Sequence, residues 1–226
     1  MKRLFLTTLM FNMLLATATA QFPVDTVRIN KAYNALASEE RDAGTEMEFL
    51  EAFPTTWLEF YMTYGCTYSD SLQNTICDMC SEHISALFGL SHISDTVLCK
   101  KIVNLSVGMK DCGECTGVFQ DYLIGYIFKN ENLVLDYLSK LRKGHQMEFW
   151  QFCWSTVTEC LRAEHFEELY KRNKEKYPDL MDVSRIAFEI FYDGINYPTL
   201  LPHQEEAYRR KFININYKST FDDYEE

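Results

Sequence analysis

The sequence predicts an all-α protein, and three observations predict it. Gly (9) and Pro (5) are scarce in the 226 residues and Val occurs only nine times, too few turn formers and β-branched residues for a β-sandwich or barrel. Apolar residues recur at helical spacing along most of the chain. No Pro/Gly/Ser-rich linker separates these segments, so successive helices are expected to pack as antiparallel neighbours. The expectation is a single domain of roughly seven to nine helices, an irregular multi-helix bundle or helix-hairpin array. Apolar (47%) and charged (24%) contents are those of an ordinary globular chain.

The elements follow in order. Ile29, Ala32, Tyr33 and Leu36 form a helical stripe. A charged, helix-prone stretch from Glu39 to Phe53 stops at Pro54, which cannot continue a helix. Thr56 is an N-cap and Glu59, three residues on, completes a capping box for a short helix that Gly65 ends. Further helices are expected at Ser71–Leu90, Asp95–Val107, Cys115–Lys129 and Asn132–Arg142. Gly144 marks a break, after which His145–Leu161 carries Phe149, Cys153, Val157, Cys160 and Leu161 on one stripe. Pro178 opens the last strong helix, with Val183, Ile186, Ala187, Ile190 and Phe191 on its apolar face. Residues 214–226 form a mostly polar, acidic C-terminal tail.

Residues 1–20 read as an address. Lys2 and Arg3 precede the apolar stretch Leu4–Ala16, and Ala18-Thr19-Ala20 is a small-x-small cleavage pattern. Thr7, Thr8 and Asn12 interrupt a stretch already shorter than the ~20 residues that span a bilayer. Cleavage after Ala20 is therefore expected, leaving 21–213 as the helical domain of a periplasmic or secreted protein with no membrane span. The formal charge is −11, and removing a signal with two basic and no acidic residues leaves 20 basic against 33 acidic, or −13. Such a surface repels phosphate backbones, so no nucleic-acid partner is expected; by itself the charge fits keeping an exported protein soluble better than steering a basic partner, which is the other reading.

The cysteines are the strongest chemical feature: Cys66, Cys77, Cys80, Cys99, Cys112, Cys115, Cys153 and Cys160. An even number in an oxidising compartment predicts a disulfide-stapled scaffold, with a connectivity that spacing leaves open. Two C-x-x-C motifs lie among them, Cys77–Cys80 and Cys112–Cys115, and His83 would extend the first to C-x-x-C-x-x-H. Structural zinc is the alternative use of these thiolates. Ser81 and Thr116 stand where a c-type haem would need His. Thioredoxin-like chemistry needs its motif at a helix start, whereas the pattern puts Cys77 inside a helix.

No other constellation names a reaction. His165-Phe166-Glu167-Glu168 lacks the second His of a zinc protease helix, and no phosphate-binding glycine motif exists. Neither a catalytic residue nor a metal or cofactor is expected, although carboxylates on solvated faces leave an acid/base pair as an alternative. Aromatic side chains exceed what the clearest stripes need. Trp150 and Trp154 share a helix face offset from the Phe149 stripe, which makes them either a doubly buried helix or anchors for a partner.

Phe49-x-x-x-Phe53-Pro54-x-Thr56-Trp57-x-x-Phe60-x-x-x-Tyr64-Gly65 resembles a segment of a group of small, exported, helical proteins of Gram-negative bacteria whose function is uncharacterised. The likeness extends through Val118, Phe119 and the Phe149-Trp150 region. The resemblance implies an exported protein and no catalytic residues. The combined expectation is a non-enzymatic interaction protein, of the immunity type that neutralises a toxin or effector in the cell envelope. An envelope enzyme or a structural-zinc protein is the alternative.

Overall fold

The computed structural model describes residues 25–38, 41–65, 76–110, 113–155 and 159–196, with the side chains of 159–161 and 191–196 outside the description. The expected signal, its cleavage point and the acidic tail fall outside the described residues.

Ten α-helices and no strand make up the described chain, so the all-α expectation holds while the helix number is higher than expected. They are α1 (Thr26–Leu36), α2 (Ala43–Ala52), α3 (Trp57–Tyr64), α4 (Cys80–Phe88), α5 (Asp95–Ser106), α6 (Glu114–Lys129), α7 (Glu131–Leu138), α8 (Lys143–Trp154), α9 (Glu159–Asn173) and α10 (Pro178–Asn196). A 3-10 turn, Cys77–Met79, leads into α4.

Local chemistry accounts for several boundaries. Asp42 and Thr45 form a reciprocal capping box that starts α2 later than the sequence suggests. Thr56 and Glu59 form the expected box on α3, with the Glu59 backbone N–H donating to Thr56 Oγ1 at 3.2 Å and Glu59 Oε2 accepting from the Thr56 backbone at 3.1 Å. Gly65 closes α3, its N–H donating to the Tyr61 carbonyl at 2.7 Å. The expected break at Gly144 is not one: Gly144 is buried in the first turn of α8. The helix expected over 145–161 stops at Trp154, and α9 follows as a separate helix.

The core centres on α8, whose Met147, Glu148, Phe149, Trp150, Phe152, Cys153 and Trp154 are all buried. Helix α10 packs along it, α9 packs on α10, and α5 and α6 close other sides. The expected face of α10 is inward, with Val183, Ile186 and Ala187 buried. Trp154 donates its indole N–H to Ser184 Oγ at 3.1 Å, and Phe166 of α9 stacks on Phe188 of α10 at 4.2 Å. A second aromatic run, Phe49, Phe53, Phe60 and Tyr64, joins α2 and α3 to Phe119 of α6.

Buried polar groups tie distant segments together. The Glu46 carboxylate on α2 accepts from the backbone N–H groups of Ser91, His92 and Ile93 at 2.7–3.2 Å and from Arg41 Nε at 2.8 Å. It thereby holds the α4–α5 loop. Burial alone would raise its pKa, but these donors hold it at about 2. Lys101 of α5 donates to the Phe53 carbonyl at 2.6 Å and Thr55 Oγ1 at 2.9 Å, fixing the α2–α3 corner.

Candidate functional site

The end of α3, the 3-10 turn and the first turns of α4 and α6 meet at one corner, and three of the cysteines meet there. Cys80 is the first residue of α4 and Cys115 the second of α6. Cys77 lies in the 3-10 turn rather than inside a helix, a correction to the sequence pattern. The first C-x-x-C motif therefore opens a helix. Gly113 caps α6 with φ +112°, a conformation L side chains rarely adopt, which explains the glycine inside the second motif. Thr116 Oγ1 donates back to the Gly113 carbonyl at 2.7 Å and closes the turn that carries Cys115.

Cys115 occupies the middle of the cluster. Its Sγ lies 3.7 Å from Cys77 Sγ and 3.4 Å from the Tyr64 carbonyl. The Cys80 thiol is held below its ordinary pKa chiefly by its hydrogen bond with Cys115; burial opposes this, and Ser81 assists. Glu114 and Glu82 push the other way. Burial raises the Tyr64 phenol well above its usual range, with smaller contributions from Cys80 and Cys115. Its hydroxyl is 3.1 Å from His83 Nδ1. Burial depresses His83 to about 4, so it is neutral at physiological pH.

The eight cysteines do not form one set. Cys80, Cys99, Cys115 and Cys153 are buried thiols. No disulfide joins two of the described side chains, so the expected staples are not seen among them. Cys99 is pushed up to about 11 by burial, and burial raises Cys153 further still. High pKa and burial make these two inert packing thiols. Cys66 and Cys112 lie outside the described residues, and Cys160 sits on α9 with its side chain outside the description. Among the described residues no group of three or more His, Cys, Asp or Glu is arranged to hold a metal ion. His83 faces Tyr64 through Nδ1 and does not extend the C-x-x-C motif into a ligand set.

Trp150 and Trp154 are 0% exposed, which overturns them as partner anchors. They stack on each other at 5.4 Å between α8 and its neighbours. Among the described residues the exposed aromatic is Tyr122 on α6, 41% exposed and stacked on Phe88 of α4 at 5.5 Å. It follows Glu114 and Val118 at intervals of four, so all three lie on one helical face. Asp78 and Glu82, both exposed, extend that acidic surface across the 3-10 turn and α4. No sequence signal marks this juxtaposition, because α4 and α6 are neighbours only through packing.

An open cleft of about 470 Å³ between α6 and α9 is lined by Asp121, Phe128, Arg162, His165 and Glu168, among others. Arg162 pairs with Asp121 at 2.9 Å, and Arg172 lies 3.6 Å from Glu168. Both carboxylates are thus ion-paired rather than poised as an acid/base couple. No helix among the described residues is long and apolar enough to cross a membrane. No protein-family model, curated protein or solved structure matches the chain.

Proposed function

We propose that the mature chain, from Gln21 onward, is a stoichiometric binding protein of the bacterial envelope that covers a basic surface on a toxin or effector, in the manner of an immunity protein. It belongs in this reading with the exported helical proteins its Phe49–Gly65 segment resembles. What supports the reading is the α4–α6 pair: Asp78, Glu82 and Glu114 are exposed at the helix starts and Tyr122 is exposed two turns farther along α6, on a chain of formal charge −11. Acidic side chains speed encounter with a basic partner, and a half-exposed tyrosine on a rigid helix supplies contact area at low entropic cost. The pairing of Asp121 and Glu168 with arginines supports binding over acid/base chemistry.

The test is co-expression with the product of the neighbouring gene. A complex of defined stoichiometry is expected, with an association rate that falls as salt rises. Tyr122→Ala weakens it by about 2 kcal/mol, mostly through the off-rate, and Glu82→Gln with Glu114→Gln slows association. Turnover of a substrate by the isolated chain, with no partner recovered, overturns the reading.

A further inference from the structure

The cleft between α6 and α9 carries opposite charges at one end and an apolar wall along the rest of its length. Arg162 of α9 lines it with a side chain only 6% exposed, and Asp121 Oδ1 of α6 accepts from its Nη2 at 2.9 Å. That bond engages one of the five N–H donors of a guanidinium. The Asp121 side chain is 76% exposed, and its Oδ2 is left for another donor. Ile124, Gly125 and Phe128 follow Asp121 three, four and seven positions on, so they continue the same face of α6 over about 10 Å of helix rise. Opposite them His165 stands one turn past Arg162, its ring 5.2 Å from that of Phe128. Its Nδ1 is buried with no hydrogen-bond partner among the described residues, a polar group that the fold itself leaves unmatched. A Cβ added at Gly125 would meet nothing within 4 Å, so the space beside α6 is open where alanine would suit the helix better.

We infer that this cleft binds a free α-amino acid with an apolar side chain. The ligand's carboxylate pairs with the unused donors of Arg162 and its ammonium with Asp121 Oδ2, while its side chain lies over Gly125 against Ile124 and Phe128. Charge complementarity selects this class over its competitors. A simple anion meets Arg162 but is opposed by Asp121, by Glu168 farther along the cleft and by a chain of formal charge −11. A simple cation is drawn to the carboxylates but must lie against the Arg162 guanidinium. An α-amino acid carries both charges on neighbouring atoms, which matches an Arg–Asp pair 2.9 Å apart, and it brings an apolar group to the wall beyond. The cleft's volume of about 470 Å³ takes a side chain as large as an aromatic one. The inference does not rest on the immunity-type reading: the ligand is titrated onto the chain alone, so the failure of either leaves the other standing.

The full chain, labelled at its isoleucine δ1 methyl groups, is titrated with L-phenylalanine and with L-leucine, and the Ile124 signal is followed by NMR. A saturable shift is expected for at least one of them, with Kd below about 1 mM. Removing either charge should weaken binding by about tenfold or more: L-phenylalaninamide and L-leucinamide lack the carboxylate, whereas 3-phenylpropanoate and 4-methylpentanoate lack the ammonium. Asp121→Asn keeps an oxygen for Arg162, so it should weaken the amino acid by about tenfold and leave the ammonium-free acid unchanged. Gly125→Leu fills the cleft and should abolish binding while the melting temperature stays within about 3 °C. The inference is overturned if neither amino acid shifts Ile124 by about 10 mM, or if an amide or an ammonium-free acid binds as tightly as its parent. Amino-acid binding that survives Asp121→Asn or Gly125→Leu unchanged overturns it equally.

Discussion

Replacing Glu46 with Gln keeps the shape of the α4–α5 clamp and removes its charge. The wild-type carboxylate accepts from three consecutive backbone N–H groups, from Arg41 Nε and from the His92 ring at 3.0 Å. An amide presents one oxygen and one NH₂ group to the same donors, so at least one buried N–H faces another donor. With charge-assisted bonds contributing about 1.5–3 kcal/mol, Glu46→Gln should cost about 3 kcal/mol at pH 7. The pH dependence is the sharper test. A carboxyl held at about 2 in the folded chain, against the ordinary 4.5, is bound to fewer protons when folded than when unfolded. Its contribution is therefore complete above pH 4.5 and lost as pH falls toward 2. The full shift corresponds to roughly 3.4 kcal/mol, which solvent around the half-exposed Arg41 and His92 reduces to about 2. Urea unfolding followed by tryptophan fluorescence at pH 7 and pH 3.5 should show the gap between wild type and variant narrowing by about 1 kcal/mol. A gap below about 0.5 kcal/mol at pH 7, or one equal at both pH values, refutes the clamp.

His83, depressed to about 4 by burial, makes stability fall as pH drops from 6.5 to 4, because only the unfolded chain takes up the proton. His83→Gln should remove about 2 kcal/mol of that slope in the same assay. Trp154→Ala should lose about 3–5 kcal/mol of fold stability, and Trp154→Phe less, since the ring stays while the bond to Ser184 goes; an unchanged melting temperature in either would return Trp154 to the surface. In Gly65→Ala the new Cβ would sit 2.4 Å from the Tyr61 carbonyl oxygen, so the end of α3 must shift. A cost of about 1–3 kcal/mol and a change in Cys115 alkylation rate are expected, because Tyr64 holds that sulfur through its carbonyl.

What was legible in the sequence was what neighbouring residues decide. The Thr56–Glu59 box, the stop at Pro54 and the inward stripe of α10 are local, and each stands where the pattern put it. The stripe through Cys153 and Val157 misled, because apolar periodicity runs on past Trp154 while the backbone turns at Ser155. Helix α9 carries few apolar residues, so its periodicity was too weak to separate it from α8. The candidate site depended on distance in the chain. Cys80 meets Cys115 across 35 positions and Glu46 meets His92 across 46, contacts that only the packing of α2, α4 and α6 creates. Trp150 and Trp154 were correctly placed on one face, but whether that face meets solvent was settled by α10 lying over it.

The two stacked indoles, 5.4 Å apart and nearly parallel, behave optically as one chromophore rather than two. The pair sits where α8 meets α10, beside Cys153 in sequence and far from Cys77, Cys80 and Cys115. Because both rings belong to α8, one turn apart, their stacking reports on the winding of that helix and on the packing that holds the two side chains in register. The near-ultraviolet spectrum of the chain therefore carries a built-in gauge of whether α8, the centre of the core, keeps its side chains in place.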